Sequence, residues 1–486
     1  MVTFRPQFQR RAGMAAAAAL CLTLILAFSI NCAYPFSQSP IISKFVTTLP
    51  GLGPAGVNNY NQYIPLATKT ATVFNEIPVD SYSLGVGEFS EQMHPGLPGA
   101  TTFWGYYDLL NPDQKYLAGV IVAKRGTPVL LSVTDNLPNH AIIPVDPTIM
   151  AGNGKTVGDL PLNRVVTHLH GGFTPWVSDG TPFQWYDPYG DTGVSFHNVP
   201  GTHPPKGTAT YYYPMDQSAR LVWYHDHAMG TTRTNAYSGI ASAIVLTDDF
   251  ESYLLQQKLL PDLVGIPLII QDKSFVPSHI NDPGWTWGGP GSLWYPHVYE
   301  PNYFDLGVPN PAGRWDWGPT VHQSPVDPPN AVGTMPLPPV SDVPEFFADT
   351  AIVNGAPYPV VNVTEGTFRF RMLNGSQARF WHLNLYQESG TTLGEPDLNK
   401  PGPTMYQIGT EGGFLPKVAA HPNGIRLPRD TMADPSGNTA IPQGPFNLLI
   451  APAERADVLI DFTGNSGKTY ILYNDSVGPF PMGDPR

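Results

Sequence analysis

Trp223-Tyr224-His225-Asp226-His227-Ala228-Met229 and, upstream, Thr167-His168-Leu169-His170-Gly171-Gly172 each set two histidines at positions i and i+2. In a strand, side chains alternate between faces, so i and i+2 point the same way, roughly 6–7 Å apart along the chain. On a helix, i and i+2 do not face one another. The flanks, Asn163 to Thr167 and Leu221 to Tyr224, are β-branched, apolar and aromatic, which favours strand. Each stretch therefore aims two imidazoles at one place. The chain holds 13 histidines in 486 residues. Chance yields only about 0.35 such pairs at that frequency, so two pairs constitute a signal.

Outward from these motifs the chain reads as β structure. Thr101 to Tyr107, Leu117 to Ala123, Val129 to Asp135, Val165 to His170, Thr208 to Tyr213, Arg220 to His225 and Ile240 to Thr247 are expected strands, separated by turn clusters such as Asn111-Pro112-Asp113. A second series follows at Ile266 to Gln271, Ala351 to Asn354, Thr367 to Leu373, Arg379 to Leu385, Asn447 to Ala451, Ala456 to Phe462 and Tyr470 to Asn474. This is the spacing of all-β sandwiches. Asp249 to Leu259 alone hints at a helical period, as a short helix or linker. The expected division is an N-terminal segment 1–32, a lead segment 33–65, a first β domain 66–249, a linker 250–262 and a second β domain 263–486. A long Trp/Pro/Gly-rich insertion occupies 282–344, either as a functional loop or as a structural arm.

The halves echo each other. Gly126-Thr127 leads through a strand to Asn136, and Gly366-Thr367 leads through another to Asn374. Each half then has a histidine strand, but the second reads Trp381-His382-Leu383-Asn384, with Asn384 where a paired histidine would stand. Duplication of one sandwich and chance similarity of short strands both account for this.

Composition excludes several classes. Net charge is -13, with no basic stripe, which argues against a nucleic-acid partner. The only two cysteines are Cys21 and Cys32, so residues 33–486 offer no disulfide, cysteine zinc site or thiolate nucleophile. At the N-terminus, Arg5, Arg10 and Arg11 precede the apolar run Ala12 to Phe28, and Ala27-Phe28-Ser29 supplies small residues for cleavage. This reads as export to the periplasm, cell envelope or exterior, through a cleaved signal peptide or an uncleaved anchor.

Imidazole nitrogens suit copper, zinc, iron and nickel. Asp226, between the second pair, points to the opposite strand face and is expected to hold local backbone. Asp179, in the turn-like Ser178-Asp179-Gly180, is either a residue near the metals or an ordinary turn aspartate.

These motifs resemble those of multicopper oxidases. His168-Leu169-His170-Gly171-Gly172-Phe173-Thr174-Pro175 through Asp179 is similar to the family's first copper motif. Trp223 to Met229, through Arg233, Asn235, Tyr237 and Gly239, is similar to the second. Phe103-Trp104-Gly105-Tyr106, Phe346-Phe347-Ala348-Asp349, Arg371 to Ser376 and Ala451-Pro452-Ala453-Glu454-Arg455-Ala456-Asp457 resemble the spore-coat laccase, bilirubin oxidase and phenoxazinone synthase group. The resemblance implies tandem cupredoxin-like Greek-key β-sandwiches and a copper-binding oxidoreductase that passes electrons from a reducing substrate to dioxygen. It implies that His168 binds a type 2 copper, His170 and His225 one type 3 copper and His227 the other, and that Asp179 helps deliver protons to dioxygen. The family's third domain carries His-Pro-x-His-Leu-His and His-Cys-His motifs, and neither occurs here. The expectation is therefore half of a trinuclear cluster and no type 1 site, with the third domain supplied by a missing segment or a separate chain. On this expectation the chain alone is incomplete and inactive. The alternative is a non-catalytic exported copper binder or envelope scaffold on the same fold.

Overall fold

The computed structural model describes residues 39–280, 285–297, 300–303, 309–315, 340, 346–427, 446–478 and 480. The expected export segment, both cysteines and most of the 282–344 insertion lie outside the described residues. Among the described residues no helix is long and apolar enough to cross a membrane.

The elements that position the site are, in chain order, β1 (Ile77–Glu91), β2 (Val129–Asp135), β3 (Thr167–His170), β4 (Thr208–Tyr213), β5 (Arg220–Asp226), helix α1 (Thr232–Ser238), β6 (Ala241–Thr247), helix α2 (Asp249–Gln256), β7 (Ile266–Phe275), β8 (Thr367–Asn374), β9 (Trp381–Glu388), β10 (Arg455–Asp461) and β11 (Tyr470–Asn474). One sheet of the first sandwich runs Thr70–Phe74, β1, β2, β4, with Thr101–Asp108 pairing β1 further along the same edge as Thr70–Phe74. The facing sheet runs Ile121–Lys124, β6, β5, β3. Alternation drives the assembly: β2 buries Val129, Leu131 and Val133 on one face, and these meet Tyr224, Ile244 and Leu246 from the other sheet.

The second sandwich repeats this plan. β1 pairs with β2 in parallel and β2 with β4 antiparallel. Likewise β7 pairs with β8 in parallel and β8 with β10 antiparallel. Its facing sheet centres on β9, paired with β11 and with Leu448–Ile450. The echo between Gly126-Thr127 and Gly366-Thr367 thus falls on strands in the same topological place.

A third apolar cluster joins the sandwiches, bringing Phe103, Tyr116 and Tyr237 against Ile269, Phe275, Trp294 and Phe346. Asp249 to Leu259 begins as α2, capped by Asp248, whose side chain accepts from the Glu251 N–H. Glu251 is buried and pairs with Arg369 and Arg371 of the second sandwich, each at 2.6 Å. The segment expected as a linker is therefore a helix locked to both halves.

Candidate metal centre

Strands β3 and β5 pair antiparallel with His168 opposite His225 and His170 opposite Trp223. That register puts the histidines of both stretches on one face. β5 ends at Asp226, and the His227 N–H continues the ladder by donating to the Val166 carbonyl at 2.9 Å. The four rings cluster. His168 lies 4.7 Å from His227 and 5.6 Å from both His170 and His225, measured between ring centroids. His170–His225 and His225–His227 are 5.4 and 5.7 Å.

The tautomers follow from the partners. A backbone carbonyl only accepts, so a ring nitrogen facing one carries the proton. His168 Nδ1 donates to the Asp179 carbonyl at 2.5 Å, and His225 Nδ1 to the Asp226 carbonyl at 2.7 Å. In both rings the lone pair then sits on Nε2. His225 Nε2 faces His170 Nδ1 at 3.1 Å. His227 Nδ1 is buried without a hydrogen bond; the Gly180 backbone lies nearby without closing one.

Burial and mutual repulsion favour the neutral form of His170, His225 and His227. Burial pushes His225 down to about 3, aided by the neighbouring imidazoles and opposed by its bond to the Asp226 carbonyl. Burial, then the Arg455 guanidinium, then His168 and His227 push His170 down to about 4. Burial, then His168, also lowers His227. Neutral imidazole is the form that binds metal.

Asp226 is turned away from the rings. Its carboxylate accepts from the Val166 N–H at 2.8 Å, the Ala228 N–H at 3.1 Å and Asn235 Nδ2 at 3.0 Å. Burial lifts it to about 6 against those three bonds. It ties β5, the β3 approach and α1 together, the backbone role expected of it. Asp179 presents its carbonyl to His168, while its carboxylate lies 3.8 Å from His168 Nδ1 and accepts from Thr174 Oγ1 at 2.9 Å. Two neighbours escaped the sequence reading. Trp223 stacks on His170 at 5.1 Å, and Arg455 arrives from the second sandwich. Trp223 was available from its i−2 spacing to His225; nothing local marks Arg455.

Among the described residues, no three His, Cys, Asp or Glu side chains close on one point suited to a single ion. The rings gather around His168 instead, 4.7–5.6 Å from it between centroids. This fits copper ions that each take one or two imidazoles here and the rest from elsewhere. The donor chemistry fits too: neutral nitrogens, one unpartnered buried ring atom and second-sphere carbonyls holding the far side.

Fold and site together define a tandem β-sandwich protein with four clustered imidazoles at one sheet edge. The chain is 31% identical over 396 residues to a laccase of Bacillus stratosphericus, covering 81% of this chain and 58% of that one. It is also 31% identical over 407 residues to a laccase of Haloferax volcanii, covering 82% and 52%. No family model matches. Among solved structures, laccase from Pediococcus acidilactici superposes with TM-score 0.51 at 20% identity, covering 91% of this chain and 62% of that one. McoA multicopper oxidase from Aquifex aeolicus superposes at 0.50 with 22% identity, covering 89% and 61%. The fold is cupredoxin-like. Over the part it shares with these relatives, the chain is similar to multicopper oxidases; it spans a little over half the length of the curated relatives it matches.

Proposed function

We propose that this chain contributes four histidine ligands to a copper cluster that reduces dioxygen to water with electrons from a reducing substrate. His168 serves a type 2 copper, His170 and His225 share one type 3 copper, and His227 serves the other. The remaining ligands come from outside the described residues, on a further segment or a separate chain. When bound, copper supplies one-electron redox chemistry and a binding place for dioxygen. The chain's own residues hold neutral imidazoles in register, exclude water from His225 by burial, and place the Asp179 carboxylate beside His168 to carry protons. The observation that carries this reading is the set of four rings within 4.7–5.7 Å of their neighbours, with lone pairs on His168 and His225 fixed by carbonyl partners. We also read residues 1–32 as an export signal or anchor, on their basic start and apolar run.

Copper content of the purified chain, compared with a His225→Ala, His227→Ala variant, tests the ligands; equal copper in both removes them. A second reading, a copper binder without catalysis, is favoured by the absence of any cysteine in residues 33–486, which denies the stretch a thiolate copper for electron entry. Adding the third domain of a laccase relative in trans separates the two. Oxygen uptake with a phenolic dye supports the oxidase, and bound copper without uptake supports the binder.

A further inference from the structure

Two buried guanidiniums link the second sandwich to the histidine strands: Arg220 of β5 donates to the Glu411 carbonyl at 2.8 Å, and Arg455 reaches the other way. Arg455 heads β10 and is only 5% exposed. Its Nη1 donates to the Ala453 carbonyl of its own loop at 2.7 Å. Its Nε crosses to the first sandwich and donates to the Leu221 carbonyl of β5 at 3.2 Å. Its third arm lies against Gly171, where an added Cβ would sit 2.6 Å from Nη2. Gly171 follows His170 directly and has φ +82°. Its carbonyl is held by Gln217 Nε2 at 2.9 Å. Trp223, two residues beyond Leu221, stacks on the His170 ring with planes 26° apart. One side chain therefore bears on the exit of β3 and the entry of β5, the two backbone segments that set the His170 ring.

The geometry points to Arg455 as a cross-domain positioning residue that holds His170 against His225 for a shared copper ion. The inference rests on the copper reading of the four histidines. A planar fork with donors in three directions bridges two strands and its own loop at once; a lysine ammonium on a flexible stem does not. Docking of the second sandwich is thereby coupled to the geometry of a ligand in the first.

The test is a double-mutant cycle on the full chain. Cu(II) affinity is measured by chelator competition, with the Cu(II) electron paramagnetic resonance spectrum recorded alongside. Arg455→Lys is expected to weaken Cu(II) binding about tenfold and to alter the spectrum, in a chain whose cooperative thermal melt shows that it still folds. In a His170→Ala background the same change should weaken binding no further. Equal weakening in both backgrounds, or none in the parent chain, overturns the assignment. Arg455→Ala serves as the second variant, and where it fails to fold the lysine variant still decides. If His170→Ala by itself leaves copper affinity and spectrum unchanged, the copper reading fails, which is distinguishable from failure of the positioning role alone.

Discussion

Each sandwich carries a histidine on a strand of its facing sheet, at an edge in the first and at the centre in the second, and the two use it in opposite ways. On β3 and β5, carbonyls take Nδ1 of His168 and His225 and leave Nε2 with its lone pair. On β9, His382 is fully buried and both its nitrogens are used by protein. Nδ1 donates to Asp475 at 2.5 Å, and Nε2 accepts from the Asn447 N–H at 2.8 Å. Asn384, at the i+2 position, accepts from the Gly424 N–H at 3.1 Å and from Asn447 Nδ2 at 3.0 Å. A strand histidine thus yields a candidate ligand where its second ring nitrogen meets only another imidazole, as in His225, and a structural tie where it meets a backbone N–H, as in His382.

This difference predicts a crossed result, the largest effect expected. His225→Ala with His227→Ala should weaken copper binding at least tenfold, about 1.4 kcal/mol or more, and lower the thermal midpoint of the copper-free chain less than His382→Ala does. His382→Ala should leave copper affinity intact. It should destabilise the fold by about 2–4 kcal/mol, because the Asp475 carboxylate and the Asn447 N–H lose their buried partner. Metal titration and thermal melts of both variants check it. Loss of copper in His382→Ala would erase the distinction.

Restoring the missing histidine is the next way to strain the comparison. Asn384→His rebuilds an i, i+2 pair on β9 but leaves His382 with no nitrogen to offer. No copper should be gained, and the larger ring should cost about 1–3 kcal/mol in a packed site. A metal titration showing a new site would mean that pairing alone suffices.

The comparison also marks how far the sequence could be read. The strands at Val129–Asp135, Thr208–Tyr213 and Tyr470–Asn474 follow from alternation and fall where expected. β1 was not foreseen, because Pro78, Gly85 and Gly87 read locally as punctuation. In the fold, a Cβ at Gly85 would overlap the Tyr107 ring, so the glycine admits a cross-strand aromatic. α1, Thr-Arg-Thr-Asn-Ala-Tyr-Ser, shows no apolar stripe. It is held by tertiary contacts, Asn235 to Asp226 and Tyr237 Oη to the Trp294 carbonyl at 2.9 Å, and ended by Gly239 at φ +118°. The ligand histidines were legible because strand geometry is local. That His382 is satisfied depends on Asp475, 93 residues away, and no local pattern reports that.

Copper itself should act most strongly on the first sandwich. Binding to the folded state stabilises by mass action, about 2.7 kcal/mol at a hundredfold excess over Kd. Copper addition should therefore slow hydrogen exchange in β3 and β5 more than in β9 and β11. Chelation should reverse the change. Protection greater in β9 and β11 than in β3 and β5 would place the metal elsewhere.

The smallest effect is expected at Asp179, and there it is the contrast between affinity and turnover that matters. The group that fixes His168 is the Asp179 carbonyl at 2.5 Å, whereas the carboxylate stands off at 3.8 Å and is more than a third exposed. Asp179→Asn keeps the carbonyl, the shape and an oxygen to accept from Thr174. Copper affinity should stay within about twofold, and stability within about 0.5 kcal/mol. A carboxylate that carries protons is different, because an amide cannot give and take one at neutral pH. In any assembly of this chain that consumes oxygen, Asp179→Asn should therefore slow uptake, on the order of tenfold or more, at unchanged copper content. Uptake equal to the parent would reduce Asp179 to a turn residue whose only task is performed by its backbone.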